Sequence, residues 1–161
     1  LQAQAQQTGE ETTAEVSNII QVGEVVGTAE GSKKIKKLNL TVRLASGSDP
    51  INMSKASYTV ATGGNASVVS GDPVESSVVT KLIGLQGTVE GDTRGSGGGN
   101  KMILSEQQDL IIVKMNIDSG RLEPLEDNEE LQIVAQAPAG GNTYKSVTAP
   151  RRIKSGESYI L

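Results

Sequence analysis

From residue 37 to residue 44 the chain alternates without a slip. Leu38, Leu40, Val42 and Leu44 fall on one side, and Lys37, Asn39, Thr41 and Arg43 on the other. A period of two over this length is the mark of a strand with one dry and one wet face. Weaker versions of the pattern predict further strands at 21–26, 57–61, 77–83, 87–89, 101–104, 109–117, 130–137, 142–148 and 158–161. Turn formers separate them: Gly47 to Pro50, Gly63-Gly64, Gly71 to Pro73, Asp118 to Gly120 and Pro138 to Gly141. Short strands punctuated in this way predict an all-β fold, an antiparallel β-sandwich that is immunoglobulin-like or barrel-like. No repeat of 20 to 50 residues is visible, so a solenoid or propeller is not expected. The Gly-rich run 91–100 predicts a surface loop.

The first twenty residues follow another period. Glu10, Glu11 and Glu15 are spaced for one exposed helical face, and Val16, Ile19 and Ile20 supply an apolar patch at i, i+3 and i+4. Thr8 with Glu11 and Thr12 with Glu15 have the spacing of a capping box. Leu1, Ala3 and Ala5 equally suit a helix running in from upstream, in which Gly9 costs about 1 kcal/mol relative to Ala. So polar a helix gains little from folding alone, and its packing partner is expected outside these 161 residues. The predicted division is a helical stub, 1–20, and a β-domain, 21–161. Val16, Ile19 and Ile20 are the expected docking residues between them.

Composition narrows the chemistry. Hydrophobic residues make up 35% of the chain, with no Phe, Trp, Cys or His and three Tyr. The core must therefore come from Val, Ile and Leu. A net charge of −4 and so few aromatic rings leave neither a basic field nor a stacking platform for nucleic acid. The basic cluster Lys33, Lys34, Lys36 and Lys37 is best read as a solvated approach to a strand that also discourages edge-to-edge pairing. Leu110 to Val113 is the longest aliphatic run, far short of the roughly 20 residues of a membrane span. No membrane contact is expected of this chain. It opens at Leu1 with neither Met nor a signal peptide, so removal of an upstream segment is expected.

Without His or Cys, a serine triad, a thiol nucleophile and an imidazole metal site are all excluded. Carboxylate pairs remain for glycoside chemistry, and Ser54-Lys55 for a Ser-Lys dyad, but neighbours on a strand point to opposite faces. No enzyme activity is expected. The acidic run Glu123, Glu126, Asp127, Glu129 and Glu130 offers oxygen ligands for Ca²⁺, yet it lacks an EF-hand pattern and reads more simply as a solvated loop. Gly95 to Gly99 has no Lys-Ser/Thr behind it and is no phosphate loop. No cofactor is required. Three N-x-S/T sequons, at Asn39, Asn52 and Asn65, lie within 29 residues and predict N-linked glycosylation on the polar surface.

The stretch Gln7-Thr-Gly-Glu-Glu-Thr-Thr-Ala-Glu-Val16 resembles the segment that follows the hydrophobic N-terminal helix of archaellins, the archaeal flagellins. The run Leu122 to Ile133 and the ending Ala149 to Leu161 are similar to the same family, while 45–105 carries little of its signal. The resemblance implies a structural subunit made as a precursor with a type IV pilin-like signal. Its mature hydrophobic helix, absent here, would pack at the centre of a helical filament of identical or paralogous subunits. The β-domain would be the secreted, glycosylated outer part, on an extracellular filament that drives swimming. Rival readings keep the sandwich and change the job: a motor-associated protein, a pilin-like adhesin or a carbohydrate-binding module.

Overall fold

The structure of the chain, a computed structural model, describes residues 18–86, 103–106 and 108–161. Among them are eleven strands: β1 (Ile20–Ala29), β2 (Ile35–Leu44), β3 (Ile51–Asn52), β4 (Ser57–Thr62), β5 (Asn65–Ser70), β6 (Val79–Gln86), β7 (Ile103–Leu104), β8 (Leu110–Asn116), β9 (Glu130–Gln136), β10 (Asn142–Thr148) and β11 (Ser158–Ile160). One antiparallel sheet has the order β11-β1-β2-β8-β6, a second β10-β9-β4-β5, and β3 pairs with β7. Leaving the β3–β7 pair aside, the chain passes between the two larger sheets after β2, β5, β8 and β10. The all-β sandwich expected from the alternation is what forms.

Alternation is the reason these residues make these layers. In β2, Leu38, Leu40, Val42 and Leu44 are buried, as are Ile111, Val113 and Met115 of its partner β8. From the facing sheet come Tyr58 and Val60 of β4 and Leu131, Ile133 and Ala135 of β9, in one continuous cluster. Tyr58 is the bulkiest side chain in the centre, and its hydroxyl has no partner among the described residues. Burial pushes its phenol pKa up. Asp109 is buried just before β8. Its Oδ2 accepts hydrogen bonds from the Ser105 and Glu106 amides and the Ser105 hydroxyl, each 3.0 Å. Burial pushes its pKa up, but those donors outweigh it and hold the carboxyl below its usual range.

Several expectations need correction. Residues 1–17, with Val16, lie outside the described residues, as do 87–102, which hold the predicted strand 87–89 and the Gly-rich run. The helical stub does not extend to residue 20: Ile20 is the first residue of β1, paired with Leu44. An apolar residue suits the inner face of a strand as well as the apolar stripe of a helix, so Ile20 fits either pattern. β3 and β5 went unpredicted because one is two residues long and the other, a mix of Asn, Ala, Ser and Val, is half exposed at a sheet edge. The lysine cluster does not guard an edge, for β2 lies between β1 and β8. Its charges meet acids instead: Lys34 with Glu126 (2.8 Å), Lys36 with Asp118 (3.2 Å) and Lys37 with Glu30. Ser54-Lys55 sits in a 3₁₀ turn rather than a strand.

Two outcomes follow. Tyr58→Phe removes a buried, unpartnered hydroxyl at constant shape, so it should stabilise the domain by about 1 kcal/mol or leave it unchanged; a lower melting temperature would reveal a partner for the hydroxyl. Because the pKa of Asp109 is lowered on folding, its ionised form adds stability above the unfolded value, and this is lost as pH falls through the folded one. Asp109→Asn should thus melt below the parent protein at neutral pH, with the gap narrowing at pH values beneath the usual carboxylate range.

Candidate functional site

The place where the chain enters the sandwich is built from three separate segments. Asn18 and Ile19 precede β1 and are clasped on both sides. The loop after β2 supplies the Asp49 amide to Asn18 Oδ1 (3.0 Å) and the Ser48 hydroxyl, which accepts from the Ile19 amide (3.1 Å). The Ala45 amide donates to the Ile19 carbonyl (3.1 Å). From the other sheet, the β9–β10 turn sends the Gly141 amide to the Asn18 carbonyl (3.1 Å). That turn passes so close that a β-carbon on Gly140 would fall on the Asn18 carbonyl oxygen and lie 2.7 Å from its side chain. Ile20 then plunges into the core while Ile19 stays half-buried. The joint therefore holds the chain by backbone bonds to both sheets, where sequence reasoning expected apolar docking alone. Asn18, Ser48 and Gly140 went unnoticed, the last because Pro138 to Gly141 carried only a turn signal.

The three sequons occupy unlike places. Asn39 is in mid-β2, registered with Val26 on one side and Lys114 on the other. It is half-buried on the outer face, in a depression of about 500 Å³ shared with Lys37, Thr80, Lys114 and Asn116. Asn52 caps the 3₁₀ turn Met53–Lys55, its Oδ1 accepting from the Ser54 amide (3.1 Å) and hydroxyl (2.6 Å). This bond also occupies the Ser54 hydroxyl that a Ser-Lys dyad would need. Asn65 is exposed and opens β5 directly after Gly63-Gly64, whose φ values of 55° and 87° make the tight hairpin.

Part of the acidic run gathers round Lys34, on whose charge Glu126, Glu123 and Glu129 all act. Glu126 pairs with Lys34, whose ammonium holds the carboxyl below its usual range. Glu130 accepts from the Ser146 hydroxyl (2.5 Å) and the Gln132 amide (3.1 Å), which lower its pKa likewise. Asp127 accepts from the Ile153 amide (3.1 Å). Glu123 and Glu129 flank Gly63 at the hairpin tip. Among the described residues, no group of three or more such side chains is placed to hold a metal ion.

The family model for archaeal-type flagellin matches residues 1–146. The chain is 32% identical over 161 residues to flagellin B3 of Halobacterium salinarum, covering 100% of this chain and 78% of that one. To flagellin A2 of Haloferax volcanii it is 28% identical over 176 residues, covering 95% and 76%. Among solved structures, archaeal flagellin FlaB1 of Methanocaldococcus jannaschii superposes with a TM-score of 0.67 at 15% identity, over 88% of this chain and 95% of that one. The archaeal flagellum of Methanospirillum hungatei gives 0.64 at 9% identity, over 99% and 80%. At such identities these two likenesses speak for the fold.

Gly140→Ala tests the joint. Overpacking against Asn18 should cost about 1–3 kcal/mol and lower the melting temperature by several degrees. It should also speed hydrogen exchange at the Gly141 amide, whereas unchanged exchange would show that the turn does not hold the joint.

Proposed function

The chain belongs to the archaeal-type flagellin family, and from that premise we propose how its parts divide the work of a filament subunit. It is a structural protein of the extracellular archaeal swimming filament, not an enzyme, and it assembles with copies of itself or of its paralogues. The β-domain is the outer part. Asn18 to Ile20 form the joint through which load passes between that part and the filament's axis, which the chain reaches on its N-terminal side. The observation that carries this reading is the clasp: hydrogen bonds from loops of both sheets meet on two consecutive residues. A pull on the joint is shared between the layers rather than peeling one strand. The role calls for no cofactor, and this part of the subunit touches no membrane.

The outer domain carries N-linked glycan, on Asn65 before Asn52 and on Asn52 before Asn39. Asn65 stands free at a hairpin tip, Asn52 has its amide group tied into a turn, and Asn39 lies between two paired strands. The carbohydrate-binding alternative gains little support, since Tyr144 is the only exposed aromatic side chain among the described residues.

Intact-mass and glycopeptide measurement on subunits from native filaments tests the proposal. The expected result is a mass above that of the bare polypeptide, with sugar on Asn65 and its loss in Asn65→Gln. A bare polypeptide mass, or sugar confined to Asn39, overturns the glycan assignment.

A further inference from the structure

The two outer faces of the sandwich differ in chemistry. That of the five-stranded sheet carries Lys37, Arg43, Lys81 and Lys114, with Lys81 and Lys114 directly opposed across β6 and β8. Like charges held side by side favour hydration over close contact with another surface. The outer face of the four-stranded sheet differs in charge rather than in apolar exposure, since Ile160 of β11 in the five-stranded sheet is also 75% exposed. One row crosses all four strands as Val68, Thr59, Val134 and Tyr144. Val68 is 74% exposed and Tyr144 59%. The next row includes Ala66 and Ala61, and the only charged residue in the four cross-strand rows is Glu130, at one end. A free surface with so little charge and such exposed apolar side chains has the composition of an interface core.

We infer that this face packs against a neighbouring copy of the chain in the filament, an inference that rests on the filament reading above. Size and charge identify the occupant. Four strands about 4.8 Å apart and some seven residues long, at about 3.4 Å each, give roughly 400 Å² of flat area. A free-standing partner needs about 800 Å² on each side. The face is thus too small to recruit a separate protein, but adequate for a copy already held nearby, whose effective concentration is high. With a net charge of −4, copies repel wherever their acidic parts approach. The nearly uncharged outer face of the four-stranded sheet is the surface on which they meet with least of that cost. In a polar filament the contact is heterologous, this face of one subunit meeting a different face of the next.

The chain has no Cys, so a single introduced thiol reports on its own position. Thr59→Cys and Tyr144→Cys, at the middle and end of the row, are to be labelled with a maleimide. Native filaments are compared with subunits dissociated from them and shown by circular dichroism to keep their β-fold. Two positions keep the test sound if one substitution disturbs folding. Labelling at least tenfold slower in filaments is expected. Equal rates in both states overturn the interface while leaving the filament reading standing. Slow labelling in both states places a segment of the same chain on the face and also overturns it. Native filaments that contain no copy of this chain overturn the filament reading itself.

Discussion

Two sheets stay stacked only while each presents an unbroken dry face to the other. In this chain the dry face is set by every second residue of β2, β8, β4 and β9, and nearly all of those residues are aliphatic. With no Phe or Trp to fill space, the layers depend on close packing of branched side chains around Tyr58. A slip of one residue would turn polar side chains inward: Lys37 and Thr41 in β2, Lys114 in β8, Thr59 in β4 and Gln132 in β9. Register is therefore the constraint from which the rest follows: it fixes the core and leaves both outer faces free to vary.

That freedom has been used unevenly. The five-stranded sheet shows water its basic residues, and the four-stranded sheet shows mostly uncharged ones. Between them the connections carry most of the acidic groups, several tied to lysines or to backbone amides. A subunit that must stay soluble before assembly, and make contact afterwards, has reason to separate its surfaces in this way. The joint adds a mechanical requirement. Because Asn18 and Ile19 bond to loops from both layers, the sandwich is gripped across its thickness, and Ile20 anchors the grip in the core.

Legibility followed local redundancy. β2 was readable because eight successive residues obey one period, and β8 and β9 because buried residues recur at every second position. β5 was not, since an edge strand with one neighbour needs few apolar residues, and Ala66, Ser67 and Ser70 carry no pattern. The apolar spacing of Val16, Ile19 and Ile20 fits a helix, but a residue bound for the core of a strand has the same hydrophobicity. The sequons were legible as motifs, while their unequal accessibility was not. Asn39 lies beside Lys114, far along the chain, whereas Asn65 pairs only with Thr62 in its own hairpin.

The amino-acid order alone determined the all-β class, the alternating faces, the absence of imidazole and thiol chemistry, and the family likeness. Each of these depends on residue type or on neighbours within a few positions. The tertiary structure decided what depends on distant partners: that β2 is central and its lysines meet acids, that Asn18 is clasped by loops near residues 48 and 140, and that Val68, Thr59, Val134 and Tyr144 form one row. Pairing between strands is a long-range choice, made by burial of the whole inner face together, and no short window of sequence contains it.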